Sequence, residues 1–191
     1  KVKHITFNAT EDSLSLEELP PKIDGFVYCP GSINLRPFKG LKSEAFLNDF
    51  ELNVLGAVKC LQIIQPLLAA SEQASVVLFS TVAVQTGIPF HASVAASKGA
   101  LEGLGRSLAA EWAPKIRVNL IASSITDTPL ANRFLNNEIK KEKSSLRHPL
   151  KRIGSVNDVA ELAVFLLTEK SSWMTGQVIG LDGGISTLNI N

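Results

Sequence analysis

Tyrosine is nearly absent from this chain: Tyr28 stands alone beside nine phenylalanines and two tryptophans in 191 residues. A reaction that needs a phenol as acid or base therefore has one candidate. Cysteine is almost as scarce. Cys29 and Cys60 give neither a metal-ligand spacing nor a disulfide framework, which fits a reducing, cytoplasmic setting. Charge of one sign is lacking too, since 19 basic residues meet 18 acidic ones for a net charge of +1. That excludes the basic block expected of a nucleic-acid or anionic-membrane binder. The densest charge run, residues 139–143, reads as a solvated helix face. No stretch of about 18 apolar residues marks a membrane span, and no signal-peptide pattern is present. Methionine occurs once, at Met174, and the chain opens on Lys1, so the gene product is expected to begin upstream.

What is present is an ordinary globular balance, 45% apolar and 19% charged. It suffices for one domain over residues 1–191, because a chain of about 150 residues already buries roughly two thirds of its unfolded surface. Strand patterns occur at Val2 to Ala9, Ile23 to Cys29, Ser75 to Ser80, Ile116 to Ala122 and Gln177 to Asp182. Helical patterns occur at Ser13 to Leu19, Ser43 to Leu68, Ser93 to Trp112, Pro129 to Lys143 and Ser155 to Leu167. In the second of these, Phe46, Phe50, Val54, Leu55, Val58, Leu61 and Ile64 recur at helical spacing. Ser155 is the N-cap of the last, with Asp158 at its third helical position. Strands that alternate with helices mean an α/β domain, a parallel sheet wrapped by helices.

In that architecture ligands bind at the carboxyl ends of the strands. Those ends carry Gly31, Ser80, Thr81, Ser124 and Thr128, which places them around one crevice.

The segments Ala96 to Leu101, Arg117 to Asn119, His148 to Gly154, Phe165 to Leu167 and Thr175 to Gly184 resemble the short-chain dehydrogenase/reductase family in order and spacing. The resemblance runs from Val2 to Ser186. It implies a doubly wound, Rossmann-like sheet that binds NAD or NADP. The family's first strand, its Gly-rich phosphate turn and its next strand fall upstream of Lys1, so this chain is expected to lack the first βαβ unit. The resemblance also implies an Asn-Ser-Tyr-Lys tetrad. Asn53 matches the asparagine that holds a relay water. Thr81 matches the serine that orients the substrate oxygen, with Ser80 adjacent. Lys98 matches the lysine. At the tyrosine position, four residues before Lys98, stands Val94.

Valine has no proton to give, and the lysine that would draw a phenol's pKa from near 10 towards neutrality has nothing to tune. Tyr28 is expected to be buried in its strand. His91, three residues before Val94, and a water held on Thr81 and Asn53 are the alternative proton sources. Gly31 matches the glycine that lets backbone approach adenosine. Lys98 would hold the ribose, and Ile125 and Thr128 would meet the nicotinamide carboxamide. Cys29-Pro30 and Ser123-Ser124 depart from the family's Asn-Ala and Pro-Gly, and Asn8-Ala9 stands where an acidic residue usually contacts adenine. The two long helices, 43–68 and 93–112, carry wide apolar stripes, and the resemblance implies that they build a homodimer or homotetramer. Two functional readings stand. One is an oxidoreductase of small carbonyl or alcohol substrates with an atypical site. The other is a non-catalytic relative that binds nucleotide or a partner subunit.

Overall fold

The structure, a computed structural model, describes residues 2–11 and 15–189. Four parallel strands form one sheet in the order β1 (Gly25–Tyr28), β2 (Ala74–Thr81), β3 (Ile116–Ser123) and β4 (Val178–Leu181). One cross-sheet layer runs Tyr28, Leu78, Leu120, Val178. Helix α1 (Ser43–Ala69) joins β1 to β2, and α2 (Ala92–Trp112) joins β2 to β3. Between β3 and β4 come α3 (Glu138–Arg147) and α4 (Val156–Leu167).

The central strands are apolar on both faces because both faces are covered. Val76, Leu78, Val118 and Leu120 pack beneath Leu61, Ile64, Leu68 and Leu101 of α1 and α2. Their neighbours Val77 and Ile121 point the other way, onto Ala163 and Leu166 of α4. This alternation sets two cores back to back and confirms the doubly wound, Rossmann-like α/β architecture. Asn119 is fully buried between β3 and β4, where Nδ2 donates to the Met174 carbonyl at 2.8 Å and Oδ1 accepts from the Gln177 amide at 3.1 Å. Helix α4 starts on the expected cap. Ser155 Oγ accepts from the Asp158 amide at 3.2 Å, and the Asp158 carboxylate accepts from the Ser155 amide at 2.8 Å.

The structure corrects several sequence expectations. Val2 to Ala9 alternates like a strand but forms none, because no strand among the described residues pairs with it and unpaired N–H and C=O groups make no ladder. Of the short helix expected at 13–19, Ser13 and Leu14 lie outside the described residues, and Leu16–Glu18 forms a single 3-10 turn. The helix expected over 129–143 is broken into Pro129–Ala131, Asn132–Leu135 and α3. Asn137 interrupts it by leaving helical geometry and capping the Lys140 amide at 2.9 Å.

Helix α1 contains a π-helical turn, Glu51–Leu55, and the extra residue shifts which side chains face inward. Asp49 and Asn53 are buried, while Phe50 and Leu55, assigned to the apolar stripe by spacing, are exposed. By length and composition α1 is apolar enough to cross a membrane, a property the sequence reading did not assign to it; in this fold it packs on the sheet through its buried face.

Candidate active site

The carboxyl ends of β1, β2 and β3 open onto a cavity of about 740 Å3. Gly31, Ser80, Thr81, Lys98, Ile125 and Thr128, singled out in the sequence from four separate segments, all line it. Asn53 stands behind Gly31: a Cβ on that glycine would lie 3.5 Å from both Asn53 Oδ1 and Lys98 Nζ. A side chain at this position would press on both polar atoms.

The π-turn of α1 presents Asn53. There Asn53 Nδ2 donates to Ser97 Oγ at 3.0 Å and to Ser32 Oγ at 3.2 Å, and Ser32 Oγ–H donates to Asp49 Oδ1 at 2.6 Å. Two acceptors of this network, Asn53 Oδ1 and Asp49 Oδ2, are buried and have no partner among the described residues. Buried polar atoms are normally satisfied, and these two acceptors, set behind the cavity wall, are exceptions.

Lys98 supplies the charge. Its side chain is 6% exposed on α2, and its ammonium makes no hydrogen bond or ion pair among the described residues. Burial draws its pKa from the ordinary lysine value down to about 8, while the negative charge of Asp49, and more weakly Cys29, opposes the shift. Cys29 lines the same cavity, and burial pushes its thiol up while the Lys98 cation pulls it down.

Val94 lies one turn before Lys98 on α2, 5% exposed, and forms part of the cavity wall. Beside it, Ser93 Oγ is buried without a partner among the described residues. Tyr28 offers no replacement for the phenol. It is buried as expected, its hydroxyl donates to the Leu52 carbonyl at 2.7 Å, and burial holds its pKa at about 12. His91 does line the cavity, with Nδ1 held by the Pro89 carbonyl at 2.8 Å. Its Nδ1 must donate to that carbonyl, which turns Nε2 into the available nitrogen.

The two hydroxyls at the end of β2 differ in availability. Ser80 Oγ–H is committed to Glu102 at 2.6 Å. Thr81 Oγ1 accepts only a long bond from the Ala83 amide, 3.3 Å, so its proton is free for a ligand oxygen. Thr128 Oγ1 caps the short turn that follows it, accepting from the Ala131 amide at 3.4 Å.

Sequence reasoning missed two participants. Asp49 was hidden because a helical apolar stripe assigns that face to Phe50 instead. His148 is 3% exposed, and its Nε2 lies 2.8 Å from Ser124 Oγ on the cavity wall. No spacing rule links residues from the end of β3 and the end of α3, so nothing in the sequence pairs them.

The chain matches, over residues 14–186, the family model described as enoyl-(acyl carrier protein) reductase. It is 36% identical over 166 residues to a tropinone reductase homolog of Arabidopsis thaliana, covering 86% of this chain and 63% of the relative. The chain thus spans less than two thirds of that relative. A solved short-chain type dehydrogenase/reductase from Mycobacterium ulcerans is 30% identical, with TM-score 0.79 over 86% of this chain and 61% of the other. The structure of ElxO with NADP bound is 27% identical, with TM-score 0.79 over 86% of this chain and 68% of that one. The parallel sheet, the C-terminal-edge cavity and these likenesses agree: the chain belongs to the short-chain dehydrogenase/reductase family.

Proposed function

We propose that this chain belongs to a nicotinamide-dependent oxidoreductase acting on a small carbonyl or alcohol, with an atypical proton-transfer site. One observation carries the reading: Lys98, a buried ammonium without a partner among the described residues, lines the cavity, and an acceptor likewise unmatched among them, Asn53 Oδ1, lies behind the side-chain-free Gly31. A sugar hydroxyl fits this pair, because it can accept from Nζ and donate to Oδ1 at once. The related ElxO structure, which holds NADP, supports a dinucleotide as the donor of that hydroxyl.

NAD or NADP, when bound, supplies the hydride. The chain's own residues bind and orient. Lys98 holds the ribose, Gly31 lets the adenosine approach the backbone, and Ile125 and Thr128 meet the carboxamide. Thr81 Oγ1 orients the substrate oxygen. With Val94 at the tyrosine position, proton transfer falls to the network of Lys98, Asn53 and Thr81, and Nζ exchanges its proton readily at a pKa of about 8.

A second reading is favoured by Val94 itself: a relative that binds nucleotide or a partner subunit without turnover. Either reading carries a homodimer or homotetramer built through α1 and α2, supported by the exposed Leu47, Phe50 and Leu55.

Thermal unfolding of the intact protein with NADH and with NADPH tests the shared premise. A ligand at about 100 times its Kd adds about 2.7 kcal/mol of stability. The expected result is a shift with at least one nucleotide that Lys98→Met removes. Unchanged unfolding with both nucleotides rejects the enzyme and the nucleotide-binding relative, and leaves only the partner-subunit form of the second reading.

A further inference from the structure

Ser124 and His148 form a second chemical arrangement on the cavity wall. Ser124 follows β3, is half-buried, and its Oγ lies 2.8 Å from His148 Nε2. His148 Nδ1 lies 2.7 Å from the Ser144 carbonyl. A carbonyl only accepts, so Nδ1 carries the hydrogen; in the neutral ring Nε2 then accepts and the serine hydroxyl donates. Nucleophile, base and orienting group therefore stand in sequence, the pattern of an activated serine.

The third member is a helix end instead of a carboxylate. His148 follows Arg147, the last residue of α3, and its Nδ1–H points into the last turn of that helix. The carbonyl end of a helix carries partial negative charge and stabilises a cation there. The ring cannot drift, since it is 3% exposed and packs where Gly183 leaves room, 3.5 Å from where a Cβ would stand.

Two further features complete the arrangement. The Ile125 amide, next in the chain after Ser124, has no acceptor among the described residues. A free N–H directly after a nucleophilic serine is the position from which an oxyanion is stabilised. The cavity beside it is walled by Phe79, Ile88, Leu130, Phe134 and Val159, which suits an apolar acyl chain.

We propose that Ser124 and His148 constitute a cofactor-independent acyl-transfer site for uncharged carboxylic esters with short apolar acyl chains. Ser124 Oγ bonds to the ester carbonyl carbon while its proton passes to His148 Nε2. The carbon–oxygen bond to the alcohol then breaks, and the alcohol leaves with that proton. Water attacks the acyl-serine, passing a proton through Nε2 back to Ser124 as the acid departs. The balance is ester plus water giving acid plus alcohol, with no change of oxidation state.

The test uses the intact protein without nicotinamide nucleotide. A fluorophosphonate probe should attach to Ser124, read by peptide mass spectrometry. Hydrolysis of p-nitrophenyl butyrate should fall about 10²–10⁴-fold in Ser124→Ala and in His148→Gln, the range expected for loss of a general base. Circular dichroism establishes that the variants are folded. A natively folded wild type that takes no label at Ser124, or a Ser124→Ala rate equal to wild type, overturns the proposal. Should His148→Gln fail to fold, labelling of the wild type and the Ser124→Ala rate decide the matter on their own.

Discussion

The Tyr28 hydroxyl donates to the Leu52 carbonyl across 2.7 Å and so ties β1 to the π-helical turn that presents Asn53. The phenol stays neutral, because burial pushes its pKa up to about 12. Gly56, just past the turn, has no side chain because a Cβ there would overlap Tyr28 Oη, whereas the ring carbon Cζ would be 3.4 Å away. A coupled prediction follows from this contact. Tyr28→Phe should cost about 1 kcal/mol, the worth of a buried hydrogen bond. Gly56→Ala should cost about 1–3 kcal/mol through overpacking. The double variant should lose less than the sum, since phenylalanine removes the atom that the new methyl strikes. Urea unfolding of the four proteins measures it, and strict additivity would show that the two residues do not meet.

This turn also shows where sequence legibility stops. Strands β2 and β3 were readable because burial on both faces demands unbroken apolar runs. The start of α4 was readable because Ser155 and Asp158 act locally. The cavity's composition was readable because parallel topology fixes which strand ends meet. The inward face of α1 was not, since one extra residue in a helix changes its register and leaves no mark in a periodic pattern. Asn137 was read as helical because its capping role depends on where the chain turns. The Ser124–His148 contact depends on how α3 is laid against the end of β3, which tertiary packing alone decides.

Lys98 gives a pH prediction. Its folded pKa is about 8, below the ordinary 10.5. Below pH 8 both folded and unfolded chains carry the proton, and the cost of burying the charge is fully present. Between these values the unfolded chain holds the proton more tightly, so stability rises with pH. The gain is expected to reach about 3 kcal/mol at most. Lys98→Met should abolish this rise and unfold at higher urea than wild type at pH 7. Nucleotide binding should weaken above pH 8, as the ammonium is lost. Urea titrations at pH 7, 9 and 10 on both proteins check the first claim; parallel curves for the two would remove Lys98 as the cause.

The exposed side chains of α1 make an assembly prediction. Leu47 is 66% exposed, and Phe50 and Leu55 also face outward. Light scattering of the intact protein at micromolar concentration should return a multiple of the monomer mass. The pair Leu47→Glu and Phe50→Glu should return the monomer with its helical circular dichroism intact. A wild type that scatters as a monomer rejects the assembly.

Val94→Tyr separates turnover from binding alone. Residues four apart on α2 share a face, so a phenol at 94 stands beside Lys98, and the cavity that Val94 lines gives the ring space. The ammonium favours the phenolate and draws the phenol's pKa down, which suits it to deliver a proton at neutral pH. Reduction of a panel of small ketones by whichever nucleotide binds should rise about 10²–10⁴-fold, the usual worth of a positioned general acid. The nucleotide-induced thermal shift should stay as in wild type, because the ribose site is untouched. A gain in rate with unchanged binding shows a site intact except for its acid. Unchanged binding with no gain in rate points instead to a cavity that holds nucleotide without aligning a substrate, and it selects the non-catalytic reading.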